Sequence, residues 1–130
     1  VDFLSARIRE NRYRGISRIT QAFRLRYYEL VTRILEEQRQ VLPCYAGFMS
    51  AQIAPDGEVW ACCIEAASMG SLREAGYDFG RVWFSEQAEK VRAPIRHKSC
   101  SCPMANAGYT NMLASPGTMA KVLKNLIIPS

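Results

Sequence analysis

Apolar residues recur at three- and four-residue steps early in the chain. Ile16, Ile19, Phe23, Tyr27, Leu30, Ile34 and Leu35 form one stripe, the pattern of an amphipathic helix. Leu4 and Ile8 make a shorter copy ahead of Gly15, so two helices separated at that glycine are predicted. Pro43 is expected to end the second, because the residue before proline is pushed out of helical geometry.

From Phe48 to Cys63 the period shortens to two. Met49, Ala51 and Ile53 alternate with Ser50 and Gln52, and Val59 and Ala61 alternate with Glu58 and Trp60. Pro55-Asp56-Gly57 between them reads as a hairpin loop, with proline presetting the first turn torsion and Gly57 accepting the left-handed conformation. That loop places Ile53 opposite Val59, Ala51 opposite Ala61 and Met49 opposite Cys63 on one apolar face. Gln52 opposite Trp60 and Ser50 opposite Cys62 fall on the other, so Cys63 reads as a core residue and Cys62 as free to bind.

Periodicity fades over residues 64 to 80, where Gly70, Gly76 and Gly80 suggest loop. Val82, Trp83, Gln87 and Val91 predict a short helix stopped by Pro94. Cys100-Ser101-Cys102-Pro103 reads as extended or looped chain, and a last apolar helix is expected from about Thr118 to Ile127. No internal repeat is present. The fold class expected is α+β: N-terminal helices, then a hairpin followed by short helices and loops.

Composition narrows this picture to one folded unit. In 130 residues, 48% hydrophobic and 22% charged content excludes wholesale disorder. No apolar run approaches a membrane span and no signal peptide is visible, so a cytoplasmic setting is expected. The net charge of +5 is uneven. Nine arginines against five carboxylates give residues 1–40 a balance of +4. Interleaved Arg12-Tyr13-Arg14 and Arg24-Leu25-Arg26-Tyr27-Tyr28 are compatible with phosphate and base contacts. A solvated helix face, or one docked on an acidic neighbour, accounts for the same pattern and is the reading preferred over nucleic acid.

The cysteines change the picture most. Cys44, Cys62, Cys63, Cys100 and Cys102 are an odd set with one adjacent pair, unlike a secreted disulfide framework. Cys44 enters the hairpin, Cys62 leaves it, and Cys100 with Cys102 follows a separate helix. Four thiolates from three segments suit a tetrahedral zinc or an iron–sulfur cluster; spacing alone leaves both open. His97, between Arg96 and Lys98, reads as a solvated loop residue. No phosphate loop, dinucleotide turn or paired-carboxylate motif occurs, so no catalytic residue is assigned. A zinc-stabilised interaction module and an Arg-rich nucleic-acid-binding domain stand as the alternative functions.

Cys44-Tyr45-Ala46-Gly47, the hairpin ending in Gly57 with Cys62 five positions on, Met69-Gly70-Ser71-Leu72-Arg73, Val82-Trp83 and Cys100-x-Cys102 together resemble the C-terminal auxiliary-cluster region of radical SAM enzymes. The likeness covers roughly residues 41–113 and is greatest to the twitch domain, the shortened relative of the SPASM domain. It implies one auxiliary 4Fe–4S cluster on Cys44, Cys62, Cys100 and Cys102, with residues 41–130 as the cluster domain. Five cysteines are too few for the two clusters of a full SPASM domain. The three-cysteine motif that serves S-adenosylmethionine is absent from this sequence. A catalytic barrel upstream is therefore expected to bind that cofactor, with residues 1–40 linking to it or packing on it. By itself the chain would not be an enzyme. The resemblance further implies electron transfer or substrate support for a small-molecule or peptide substrate, with no membrane and no nucleic-acid partner. Tyr45, Phe48, Trp60 and Tyr109 are candidates to screen the cluster from water, and Pro43 and Pro103 add apolar surface without an amide donor.

Overall fold

A computed structural model describes residues 1–11, 13–97 and 100–127. Arg12 and Lys98, considered above, lie outside the described residues. The elements run α1 (Asp2–Glu10), α2 (Ile16–Glu37), β1 (Gln52–Ile53), β2 (Glu58–Trp60), β3 (Ser68–Ser71), α3 (Phe79–Trp83), α4 (Glu86–Arg96), α5 (Ala105–Leu113) and α6 (Pro116–Ile127). The architecture is α+β, as the sequence predicts. No helix among the described residues is long and apolar enough to cross a membrane.

Two separate cores form. In the first, α2 packs on α5 and α6, burying Ala22, Leu30, Met112 and Val122, with Phe23, Tyr27, Val41, Leu42 and Tyr109 around them. Burial along α2 begins only at Ala22, and Ile16 is 82% exposed; α1 packs on α2 without burying any residue of its own. The helix also stops earlier than Pro43 suggests. Gln38 takes a left-handed conformation (φ 50°), and its amide donates to the Leu35 carbonyl at 2.6 Å, reversing the chain five residues ahead of the proline.

The second core lies between the sheet and α3 and α4, and buries Val59, Ala61, Met69, Val82 and Ala88. The hairpin has the expected register, Gln52 opposite Trp60 and Ile53 opposite Val59, with Gly57 at φ 96°. Regular strand geometry ends at Trp60, however, so the apolar face does not continue to Cys63, and Met49 is exposed.

Residues 68–71, expected as loop, form the third antiparallel strand in the order β1-β2-β3. Pairing passes from Val59–Gly70 to Trp60–Ser68, leaving Met69 as the extra residue of a bulge. The bulge breaks the alternation that would have marked the strand.

The single helix expected around Val82–Val91 is two. Asp78 caps α3 by accepting the Arg81 N–H at 3.2 Å, and Ser85 caps α4 by accepting that of Ala88 at 3.0 Å. Pro94 does not stop α4, which carries on to Arg96. A proline this close to the C-terminus removes one ladder donor with little helix left to lose. Helix α5 has no strong periodic signal because Asn106, Gly108 and Asn111 dilute it. Packing of the fully buried Met112 stabilises it instead. The last helix starts at Pro116, two residues before Thr118, with proline in the first turn where its missing donor costs nothing.

The arginine face of α2 is not wholly solvated. Arg26 is buried, with Nη1 donating to Glu29 at 2.6 Å. Arg18 donates to the Leu126 carbonyl of α6 at 2.6 Å, and Arg33 pairs with Glu37 at 2.9 Å. Part of the basic excess is thus spent on contacts within the chain.

The second core yields a direct contrast. Met69 is 1% exposed and Ile53 60%, although both belong to the sheet. Met69→Ala is expected to lower stability by about 2–5 kcal/mol and Ile53→Ala by no more than about 0.5 kcal/mol, both measured by denaturant unfolding. Equal losses would place the core on the wrong face of the sheet.

Candidate metal centre

The five cysteines lie in the irregular chain that runs between the two cores, and all five are free and half-buried. Irregular buried backbone needs its polar groups satisfied from elsewhere. Here buried side chains from both cores supply the partners.

The Cys44 segment is fixed from two sides. The Tyr45 N–H donates to Asn111 Oδ1 of α5 at 2.8 Å. A tight turn follows, with the Phe48 and Met49 N–H groups donating to the Tyr45 carbonyl at 3.0 and 2.9 Å. Gly47 then sits at φ 76° so close to Ala61 that a Cβ there would lie 2.8 Å from the Ala61 Cβ. Any other residue would push the Cys44 turn away from the strand end that carries Cys62.

The Gly47 carbonyl accepts Arg92 Nε of α4 at 2.5 Å. Arg92 is 3% exposed and also donates from Nη2 to the Trp83 carbonyl (2.8 Å) and from Nη1 to Glu89 (2.7 Å). Its guanidinium also stacks 4.5 Å above the Trp83 ring. The hydrogen bond from Arg92, with help from Arg96, holds the Glu89 carboxyl below its usual range.

Cys62 and Cys63 lie just past β2, in a turn closed by the Ala66 N–H on the Cys62 carbonyl at 2.9 Å. The Ile64 N–H donates to Cys62 Sγ at 3.4 Å. Cys63 is not the core residue that the hairpin register implied. With regular pairing ended, both cysteines line one cavity together with Asn106 and Thr110.

The Cys100–Cys102 segment is fastened to the helical core. Tyr27 Oη donates to the Pro103 carbonyl at 2.6 Å, and Gln40 Nε2 to the Cys102 carbonyl at 2.8 Å. The Met104 N–H donates to Cys102 Sγ at 3.4 Å, repeating the Cys62 arrangement in which the amide two residues on faces the sulfur.

The Cys102 thiol is pushed up chiefly by burial. The Met104 N–H opposes this, and the thiols of Cys62, Cys100 and Cys44 add to it. These three segments therefore bring the four sulfurs into one electrostatic neighbourhood, and Cys63 does not contribute to the shift at Cys102. Like charges at that range resist ionising together unless a cation is bound among them.

The donor set fits an iron–sulfur group, with four soft sulfurs, amide N–H groups on two of them and partial burial. Among the described residues, no three Cys, His, Asp or Glu side chains gather within reach of one metal ion.

Residues 44–103 match the family model of SPASM, described as an iron-sulfur cluster-binding domain. Over these residues the chain is similar to a SPASM domain. No curated protein and no solved structure matches the chain. The SPASM region begins at Cys44 and takes in the hairpin, β3, α3, α4 and all five cysteines. Tyr27, Gln40 and Asn111, which fasten its ends, come from outside it.

Other expected participants divide. Tyr45 and Phe48 line a cleft with Cys44, whereas Tyr109 stacks on Tyr27 at 5.2 Å within the helical core, and Trp60 is half-buried on β2. His97 is exposed at the end of α4. Arg92, Asn111, Gln40 and the hydroxyl of Tyr27 escaped the sequence reading. A single polar residue aimed at a distant backbone group leaves no periodic trace.

Arg92→Met keeps the bulk of the stem but leaves the Gly47 and Trp83 carbonyls without their donor. A stability loss of about 2–4 kcal/mol is expected, together with faster amide exchange in residues 45–50. Arg92→Lys should recover little, because one ammonium cannot reproduce the fork. Unchanged exchange in that turn with Arg92→Met would show that Arg92 does not hold it.

Proposed function

We propose that residues 44–103 hold one 4Fe–4S cluster on Cys44, Cys62, Cys100 and Cys102, and that the domain serves radical chemistry performed by an upstream S-adenosylmethionine-binding barrel of the same protein. The ligand set is carried by Cys62 and Cys100 lining one cavity that Cys63 does not line, and by Gln40 meeting both Cys100 and Cys102. The neighbouring Cys44, Cys62 and Cys100 thiols, which help raise that of Cys102, are consistent with it. The SPASM match supports the iron–sulfur chemistry.

When bound, such a cluster supplies a one-electron redox centre. The chain's own part is to provide four thiolates and to lower their mutual repulsion. The Ile64 and Met104 amides do this at Cys62 and Cys102. Pro103 has no amide hydrogen to offer, so the donor to Cys102 comes from the residue after it. Tyr45 and Phe48 limit water at Cys44. With every iron held by a cysteine no position remains for a substrate atom, which favours electron transfer or structural support of the substrate over direct ligation.

Anaerobic preparation of the chain is expected to give brown protein with about four iron and four sulfide per molecule. Cys62→Ala should lose them, while Cys63→Ala should keep them with a modest fall in stability. One zinc per chain without labile sulfide would overturn the cluster assignment. Iron lost with Cys63→Ala and kept with Cys62→Ala would exchange the two neighbours' roles.

A further inference from the structure

Gln40 precedes the SPASM region and meets both cysteines of its last pair. It is 4% exposed, in a wall otherwise made largely by Leu30, Ile34, Val41 and Leu42. Nε2 donates to the Cys102 carbonyl at 2.8 Å and stands 3.9 Å from Cys100 Sγ. The carbonyl settles which way the amide faces, since the flipped side chain would oppose two oxygens at that distance. An amide nitrogen carries two hydrogens. One is taken by Cys102, and the second is available to the Cys100 sulfur. A thiolate is a stronger acceptor than a thiol because it is charged, and the burial of Gln40 keeps water from competing for its N–H.

We propose that Gln40 is a positioning residue for the cluster: it fixes the Cys100–Cys102 turn and donates an N–H to the Cys100 sulfur, raising the reduction potential. The inference rests on the cluster reading above. A reduced cluster carries one more negative charge, shared with its sulfurs. A donor at sulfur therefore stabilises the reduced form more than the oxidised one. No residue within the SPASM match provides this contact to Cys100 among the described hydrogen bonds, so the device belongs to the helical segment ahead of it.

The test is a dithionite titration of the anaerobically prepared chain, followed by optical and electron paramagnetic resonance spectra, for wild type and Gln40→Leu. The expected result is a lower midpoint potential for the cluster that the variant retains. Retained iron with an unchanged potential would overturn the inference and leave the cluster reading standing. A chain that binds no iron in wild-type form would overturn both.

Should Gln40→Leu fail to keep its cluster, the wild-type protein decides. With glutamine side chains labelled with 15N, the reduced cluster should show a nitrogen hyperfine coupling that persists in Gln52→Leu and Gln87→Leu. Absence of that coupling would overturn the proposal.

Discussion

The arrangement depends on how irregular backbone is held between two small cores. The cysteine-bearing segments have no ladder partners of their own through much of their length, yet the proposed cluster needs four of their sulfurs in register. Arg92 on the Gly47 carbonyl, Asn111 on the Tyr45 N–H, Gln40 on the Cys102 carbonyl and Tyr27 on the Pro103 carbonyl do this from both sides. Arg92, Asn111 and Gln40 are buried polar groups satisfied by backbone, and the half-buried Tyr27 hydroxyl is satisfied in the same way. The loss of any of them would leave an unpaired partner as well as a missing bond, the costlier of the two outcomes. The thiols alone would push the segments apart once ionised.

Division of labour follows from this. The sheet core with α3 and α4 positions Cys62 directly, as the residue just beyond β2, and positions Cys44 through Gly47 and Arg92. The helical core positions Cys100 and Cys102 through Gln40 and Tyr27, and Cys44 again through Asn111. A body bound to all four sulfurs would therefore join the two cores. That gives the helices ahead of the SPASM region a structural role in the centre, whatever else their exposed apolar residues contact. It also explains why Gly47 tolerates no side chain: the seam closes there, backbone against Ala61.

Much of this was legible in the sequence where a period or a turn carried the signal. The α2 stripe and the Pro55-Asp56-Gly57 register are local, and the cysteine spacing was enough to suggest the family. β3 was hidden because its bulge spoils alternation and its pairing is dictated by β2. The division into α3 and α4 turned on the Asp78 and Ser85 caps, and Pro94 misled because the helix was nearly finished. The reading of Cys63 as core failed for a physical reason. Alternation was extended three residues past the last regular pair, into a turn where it no longer applies. The fastening side chains were invisible because each acts on a partner far away in sequence, between 60 and 76 residues for Gln40, Asn111 and Tyr27.

The central claim is that binding at the four cysteines joins the two cores through their shared seam. Amide hydrogen exchange of the chain, prepared anaerobically with its metal and again after removal by chelation, tests it most directly. The account predicts that protection is lost first in the segments around Cys44, Cys62 and Cys100–Pro103, with α2 changing less. Equal protection across residues 44–103 with and without metal would contradict it.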